Sequence, residues 1–317
     1  MHENYDHKSG RLTQRRALCI VSVCAYAIMI WSLHCPYNQP ARMNGPCNNT
    51  SAKKMLEPMH YARASDLWAF ATYCTDNRYE LGSRVVLFTA LRASQINVSL
   101  LLLHTHSLST SWDRLPVETT KVVIPATRTD AYYRTVMTKL LVFRQTQYKR
   151  IVYVESDGLV MKDLSHLFFL PDPIYIPHCR WCGPGFVTNI LMVFTPDDAL
   201  WNRVQRHMHS EKYDMDIVND ELREDITRLS SRYAMLNSLF EDKIPESFYA
   251  DAFDKIYDRA FFFHFTAVGK PWKVSMSNVE ARVQKKLAQP EMIRLFARWN
   301  EQLQLTYDAS AWKRTSS

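Results

Sequence analysis

Two carboxylates stand two residues apart at Glu155-Ser156-Asp157, directly after Ile151-Val152-Tyr153-Val154, a short run of β-formers. At a strand end, residues i and i+2 point to the same side. The pair therefore offers hard oxygen ligands suited to Mn²⁺ or Mg²⁺. A divalent ion held there would bridge a diphosphate and neutralise charge on a departing leaving group. With 32 acidic residues in 317, roughly three acid-x-acid patterns arise by chance, so the strand-end position is what gives this pair its weight. Other chemistries lack their signatures. Only 7 glycines occur, with no GxGxxG or GxxxxGK[ST], so a bound phosphate needs an anchor other than a Gly-rich loop. No GxSxG is present and no Cys-His pairing is signalled, which leaves a Ser or Cys hydrolase without support.

The elements that must position these acids follow from the hydrophobic pattern. Residues 67–75, 98–104, 121–124 and 151–154 read as strands, and 79–93 and 131–147 as helices. Near-continuous apolar strands alternating with helices predict an α/β domain with a mostly parallel sheet covered by helices on both faces. In such sheets ligands sit beyond the carboxyl ends of the strands, which is where Glu155 and Asp157 fall. After Trp272, two polar helical stretches at 278–288 and 290–305 are expected to pack on the flank of this domain.

The N-terminal region has a different character. The run that starts at Ala17 and ends at Leu33 holds seventeen uncharged residues and follows Lys8, Arg11, Arg15 and Arg16. That length is near the lower limit for a membrane span, and the basic flank keeps the N-terminus cytosolic. The expectation is a single-pass type II protein of the Golgi or ER membrane, with a cytosolic tail (1–16) and a transmembrane signal anchor (17–34). A cleaved signal peptide competes less well, because Ala25-Tyr26-Ala27 lies inside the apolar run. Residues 35–65, with Pro36, Pro40, Pro46 and Pro58, read as a lumenal stem. Asn48, Asn49 and Asn97 are N-glycosylation acceptors in sequence terms. Five cysteines lie beyond the anchor, an odd number. Cys179 and Cys182 form either a local disulfide or two buried thiols, since no second CxxC or His pair completes a metal cage. The net charge of +7 suits anionic partners, but the basic residues are scattered and carry no nucleic-acid recognition motif.

Four segments resemble the family 8, glycogenin-like glycosyltransferases, over about 67–272. The most specific is His264-Phe265-Thr266-Ala267-Val268-Gly269-Lys270-Pro271-Trp272, similar to that family's HFxGxxKPW. Glu155-Ser156-Asp157 occupies the family's DxD position, with Glu155 replacing the usual first Asp. Thr138-Lys139-Leu140 resembles its donor-contacting lysine, and the stretch from Tyr73 through Thr75-Asp76-Asn77 to Tyr79 resembles its opening strand and turn. The resemblance implies a GT-A fold over 66–275, followed by a helical extension over 276–317. It implies a metal site of Glu155, Asp157 and His264, and a UDP-sugar contacted by Tyr73, Thr75, Asp76, Tyr79, Lys139, Ser156 and Lys270. It also implies transfer with retention, in which Asp214 steadies the developing oxocarbenium charge or holds a sugar hydroxyl, with Asp216 in reserve. Residue by residue, Thr188-Asn189 falls where the family has Asn-Ser-Gly, and Met215 replaces a Gln after Asp214.

The expected function is metal-dependent transfer of a hexosyl group from a UDP-sugar (glucose, galactose, N-acetylglucosamine or glucuronic acid) to a lumenal glycan, protein or lipid. The alternative, motivated by Glu155 and Met215, is a catalytically silent scaffold that binds nucleotide or partners without transfer.

Overall fold

Strand β1 (Trp68–Cys74) is buried almost throughout, and its side chains divide by alternation between two faces. Ala69, Ala71 and Tyr73 join one hydrophobic cluster, while Phe70 and Cys74 join the other. The same split runs through β2 (Ser99–His104), β4 (Arg150–Val154) and β7 (Leu191–Phe194). The computed structural model describes residues 67–123, 136–208, 210, 212–241 and 252–312. The proposed anchor and stem, Asn48, Asn49, Cys35 and Cys47 lie outside them. Among the described residues no helix is long and apolar enough to cross a membrane.

With β3 (Glu118–Lys121), β6 (Ile174–Pro177) and β8 (Ile226–Leu229), these strands form a seven-stranded sheet of order β3-β2-β1-β4-β7-β6-β8. β7 pairs antiparallel with both β4 and β6, and every other pairing is parallel. The sheet is thus mostly parallel, with its carboxyl ends gathered on one edge. One face is covered by helix α1 (Glu80–Ala93) through Val86, Leu87 and Phe88. The other is covered by a 3₁₀ segment (Thr138–Arg144), helix α2 (Asp198–Gln205) and helix α3 (Asp214–Glu221).

A smaller sheet of order β5-β10-β9 stands beside the site: β5 (Gly158–Val160), β9 (Met235–Leu236) and β10 (Phe262–His264). Behind it lies a third cluster, to which helix α4 (Phe253–Arg259), helix α5 (Met276–Gln284) and helix α6 (Pro290–Leu305) contribute. α6 buries Met292, Leu295, Phe296 and Trp299, and Phe296 packs edge-on against Phe265 at 5.2 Å. The C-terminal helices therefore share a core with the strand that carries His264.

Two local expectations are corrected. The strand expected at 121–124 forms three residues earlier, over Glu118–Lys121, and Val123 beyond it is 82% exposed. An edge strand open to solvent needs no apolar run, so the pattern pointed to the wrong residues. The helix expected over 131–147 is 3₁₀ over Thr138–Arg144, and residues 131–135 lie outside the described set. Every side chain from Thr138 to Phe143 is buried, so packing on all sides replaces the amphipathic period of a surface helix.

Trp299 is fully buried and lies 6.0 Å from Trp272 at the end of the HFTAVGKPW segment. Trp299→Ala is expected to lower unfolding free energy by about 3–5 kcal/mol through the cavity it leaves. Chemical denaturation checks this, and a loss below about 1 kcal/mol would show that α6 is peripheral.

Candidate active site

β4 ends at Val154, and the next residues turn across the carboxyl edge into β5. Thr72 of β1 ties this end down, its hydroxyl donating to the Val154 carbonyl at 2.7 Å. Antiparallel pairing then sets His264 opposite Gly158, and the Phe265 amide donates to the Asp157 carbonyl at 2.9 Å. This places His264 Nε2 2.8 Å from Asp157 Oδ1. Gly158 is required here, because a Cβ would sit 2.0 Å from the Phe262 ring. Gly82 of α1 is equally constrained: a Cβ would lie 2.4 Å from the Ser156 carbonyl and 2.6 Å from the Trp272 ring.

One ligand atom each from Glu155, Asp157 and His264 lies within 4.8 Å of the others. Octahedral ligands at about 2.1 Å from an ion stand at most about 4.2 Å apart. At most one pair of three such ligands can be trans and the others stand about 3.0 Å apart, so binding one divalent cation would draw these side chains together. Two carboxylate oxygens and an imidazole nitrogen suit Mn²⁺ or Mg²⁺.

Around this set the charges are buried and shared. Lys139 bonds Glu155 Oε1 and, at 2.8 Å, Asp214 Oδ2. Tyr73 donates to Glu155 Oε2 at 3.3 Å. Lys270 bonds Asp157 Oδ2 and also donates to the Phe265 carbonyl at 2.7 Å. Burial pushes Glu155 above the ordinary carboxylate value, against the pull of Lys139. Burial acts the same way on Asp157, but the charges and hydrogen bonds of His264 and Lys270 outweigh it and hold that carboxyl well below the usual range. Burial opposes the Lys139 ammonium, yet Asp214 and Glu155 overcome it and raise Lys139 above an ordinary lysine.

The residues expected at the nucleoside are distributed along the β1 edge. Tyr73 is buried and stacked on Tyr153 at 6.3 Å, so its hydroxyl faces Glu155. The Thr75 hydroxyl is buried without a partner, as is that of Ser156. Asp76 caps the turn Asn77–Tyr79 and holds Arg78 through two guanidinium contacts at 3.1 and 2.6 Å. Tyr79 meets Trp272 edge-on at 5.4 Å.

On the other side of β4, Asn189 donates to Asp214 Oδ2 at 2.7 Å. Asn189 and Lys139 both land on that one oxygen. Asp216, the reserve acid, is not brought to the site: it is exposed and accepts the Tyr213 amide at 3.1 Å, capping α3. Asn219 holds the β6–β7 connection, accepting from the Val187 amide at 2.9 Å and donating to its carbonyl at 3.0 Å. The same connection carries the Cys179–Cys182 disulfide. Sequence reasoning passed over Asn237, which is fully buried and accepts the Thr266 and Ala267 amides at 2.7 and 2.8 Å. It cradles the turn in which Val268 and Gly269 adopt φ of 67° and 112°. A β-branched residue at positive φ is strained and persists only where its surroundings impose it. No motif spacing marked Asn237, because it acts on the backbone of a segment some thirty residues on.

Two outcomes follow from these environments. Lys139→Ala leaves Glu155 and Asp214 buried without their cation and should cost about 3–5 kcal/mol in urea denaturation; an unchanged midpoint would mean that the carboxylates are not held by this lysine. Burial, with Glu80 and Asp76 nearby, pushes the Cys74 thiol up to about 12. Deprotonation begins only as pH approaches that value, so at pH 8 iodoacetamide should leave Cys74 unmodified in the native protein and alkylate it after denaturation, as read by peptide mass mapping.

No protein-family model matches the chain. Among named proteins, glucose N-acetyltransferase 1 of Gibberella zeae is 32% identical over 171 residues, 49% of this chain and 37% of that protein. Its namesake in Aspergillus fumigatus is 28% identical over 169 residues, 46% of this chain and 44% of that protein. Glycogenin of Neurospora crassa is 26% identical over 223 residues, 64% of this chain and 31% of that protein. The chain thus spans less than half the length of each of these relatives. In fold it is similar to the galactosyltransferase LgtC solved with donor and acceptor sugar analogs, with TM-score 0.53 at 11% identity over 74% of this chain and 95% of that one. It is also similar to the bifunctional glycosyltransferase WbbM, with TM-score 0.52 at 14% identity over 77% of this chain and 53% of that one. Sequence and fold point the same way: the chain is similar to glucose N-acetyltransferase 1 and to glycogenin, and its α/β sheet is of the GT-A type seen in these solved glycosyltransferases.

Proposed function

We propose that the protein is a metal-dependent glycosyltransferase that moves a hexosyl group from a UDP-sugar to a glycan, protein or lipid acceptor. The observation that carries this reading is the convergence of Glu155, Asp157 and His264 at the end of β4, with Lys270 on the same carboxylate. A divalent cation bound there supplies positive charge to the leaving diphosphate. The chain's own residues do the rest. Lys270, half-exposed and reached through the HFTAVGKPW turn, turns its ammonium from Asp157 to the diphosphate oxygens. Tyr79 and Trp272, with Thr75 and Asp76, take the nucleoside on the β1 side. Asp214, with Oδ2 fixed by Lys139 and Asn189, presents Oδ1 to a sugar hydroxyl or to positive charge at the anomeric carbon. The type II arrangement read from residues 1–34 would set this site in the Golgi or ER lumen.

One observation favours the second reading, nucleotide binding without transfer: both Glu155 oxygens already have protein partners, Lys139 and Tyr73. A single assay separates the two. The full chain in detergent is incubated with a panel of UDP-sugars and Mn²⁺ or EDTA, beside Asp157→Ala and His264→Ala. Turnover of one donor that falls at least about a hundredfold with EDTA and in each variant supports the transferase. Turnover indifferent to EDTA would refute metal dependence, and UDP binding without turnover on any donor or acceptor would establish the silent form.

A further inference from the structure

The sheet order divides the site's surroundings. Residues expected at the nucleoside lie on the β1 side of β4, and Asp214 and Asn189 lie on the β7 side. An acceptor must therefore approach over β7, β6 and β8. The connection between β6 and β7 lies over that half, at the same edge as Glu155, because Val154 pairs with Leu191 at the start of β7. It is a built loop: the Cys179–Cys182 disulfide closes its first turn, Asn219 grips Val187, and Gly183 and Gly185 adopt φ of 107° and 87°.

Beside this loop stand two arginines. Arg223 follows α3, and Arg228 lies near the carboxyl end of edge strand β8. Both are exposed. A Cβ on Gly185 would lie 3.7 Å from Arg223 Nη2 and 4.0 Å from Arg228 Nη2. The two guanidinium nitrogens are thus at most about 8 Å apart, a gap that one phosphate group can bridge with N–H···O contacts of about 2.8 Å on each side. Neither arginine has a carboxylate partner among the described residues, whereas Arg203 nearby is paired with Asp225. Two like charges held together without a counter-ion repel each other, and a bound oxyanion relieves that repulsion. Their position fits a substrate role. From β4 to β8 is three strand spacings, about 14 Å, which is within reach of an acceptor whose other end is at Asp214.

We propose that Arg223 and Arg228, facing each other across Gly185, form an acceptor subsite for an oxyanion, so that the acceptor is a sugar or glycan bearing phosphate or carboxylate. This rests on the transferase reading above. The guanidinium forks take one tetrahedral or planar oxyanion, and the glycine leaves the space for it.

The test is a binding measurement on the full chain in detergent, with UDP and Mn²⁺ in excess to fill the donor side. Glucose, glucose 6-phosphate and glucuronic acid are titrated by calorimetry or ligand-observed NMR. At least one anionic sugar should bind about tenfold more tightly than glucose and lose that advantage at high salt. Arg223→Ala/Arg228→Ala should bring it to the level of glucose with UDP affinity unchanged, and Arg228→Glu should do the same. Preference for glucose 6-phosphate identifies a phosphorylated acceptor; preference for glucuronic acid identifies a uronate. Equal binding of glucose and both anions overturns the proposal, as does an anion preference that survives in both variants. Absence of UDP binding by the wild type is a separate result: it counts against the transferase reading, while the arginine variants still decide whether an oxyanion binds at this pair.

Discussion

Three buried carboxylates, Glu155, Asp157 and Asp214, stand around one strand end, and among the described residues two ammonium groups, Lys139 and Lys270, meet them. Charges taken out of water must be matched by partners at close range, so the positions of these five side chains constrain everything around them. Lys139 reaches two of the carboxylates because the 3₁₀ segment that carries it is buried against the sheet. Lys270 reaches the third because its own turn folds back until the ammonium also meets the Phe265 carbonyl. Three carboxylates against two ammonium groups leave one negative charge in excess. A divalent cation would complement that charge, and Glu155, Asp157 and His264 are the groups that would ligate it.

Rigidity at the strand end comes from contacts that admit no slack. α1 approaches so closely at Gly82 that the Ser156 carbonyl and the Trp272 ring fill the space of a side chain. Gly158 does the same for Phe262. The strained turn at Val268 and Gly269 is held from both sides, by Asn237 on its amides and by Lys270 on the preceding carbonyl. Strain of this kind persists where surrounding structure over-determines it. Here it aims His264 and Lys270 at one aspartate.

Much of the fold was legible because buried strands announce themselves. β1, β2 and β4 are apolar on both faces, so their runs read correctly to within a residue or two, and the acids at the end of β4 could be placed from pattern alone. β3 was misplaced because an exposed edge strand carries Glu, Thr and Lys, which leave no apolar signature. At the site, the residues with recognisable spacing, Glu155, Asp157, His264 and Lys270, lie side by side. The family resemblance alone ranks Asp214 above Asp216, since two acids in the first turn of a helix otherwise look alike. Only the fold shows that one faces inward to Lys139 and the other caps the helix. Asn189 and Asn237 were illegible as supports for a further reason: their partners are 25 and 30 positions away, and no local period encodes such pairings.

The substitution of Glu for Asp at position 155 takes on a specific meaning in this geometry. Its extra methylene carries the carboxylate farther from the backbone than Asp157 reaches, into contact with Lys139 on one oxygen and Tyr73 on the other. Through Lys139 it is joined to Asp214, and through Asp214 to Asn189. Asp157 is joined instead to His264 and Lys270. The two acids of one tripeptide thereby divide the site. Asp157 joins the candidate metal ligands to the lysine that would meet the diphosphate, and Glu155 joins them to the group that would meet the sugar. A shorter side chain at 155 would have to draw Lys139 toward the backbone or release it, and in either case Asp214 Oδ2 would lose one of its two donors.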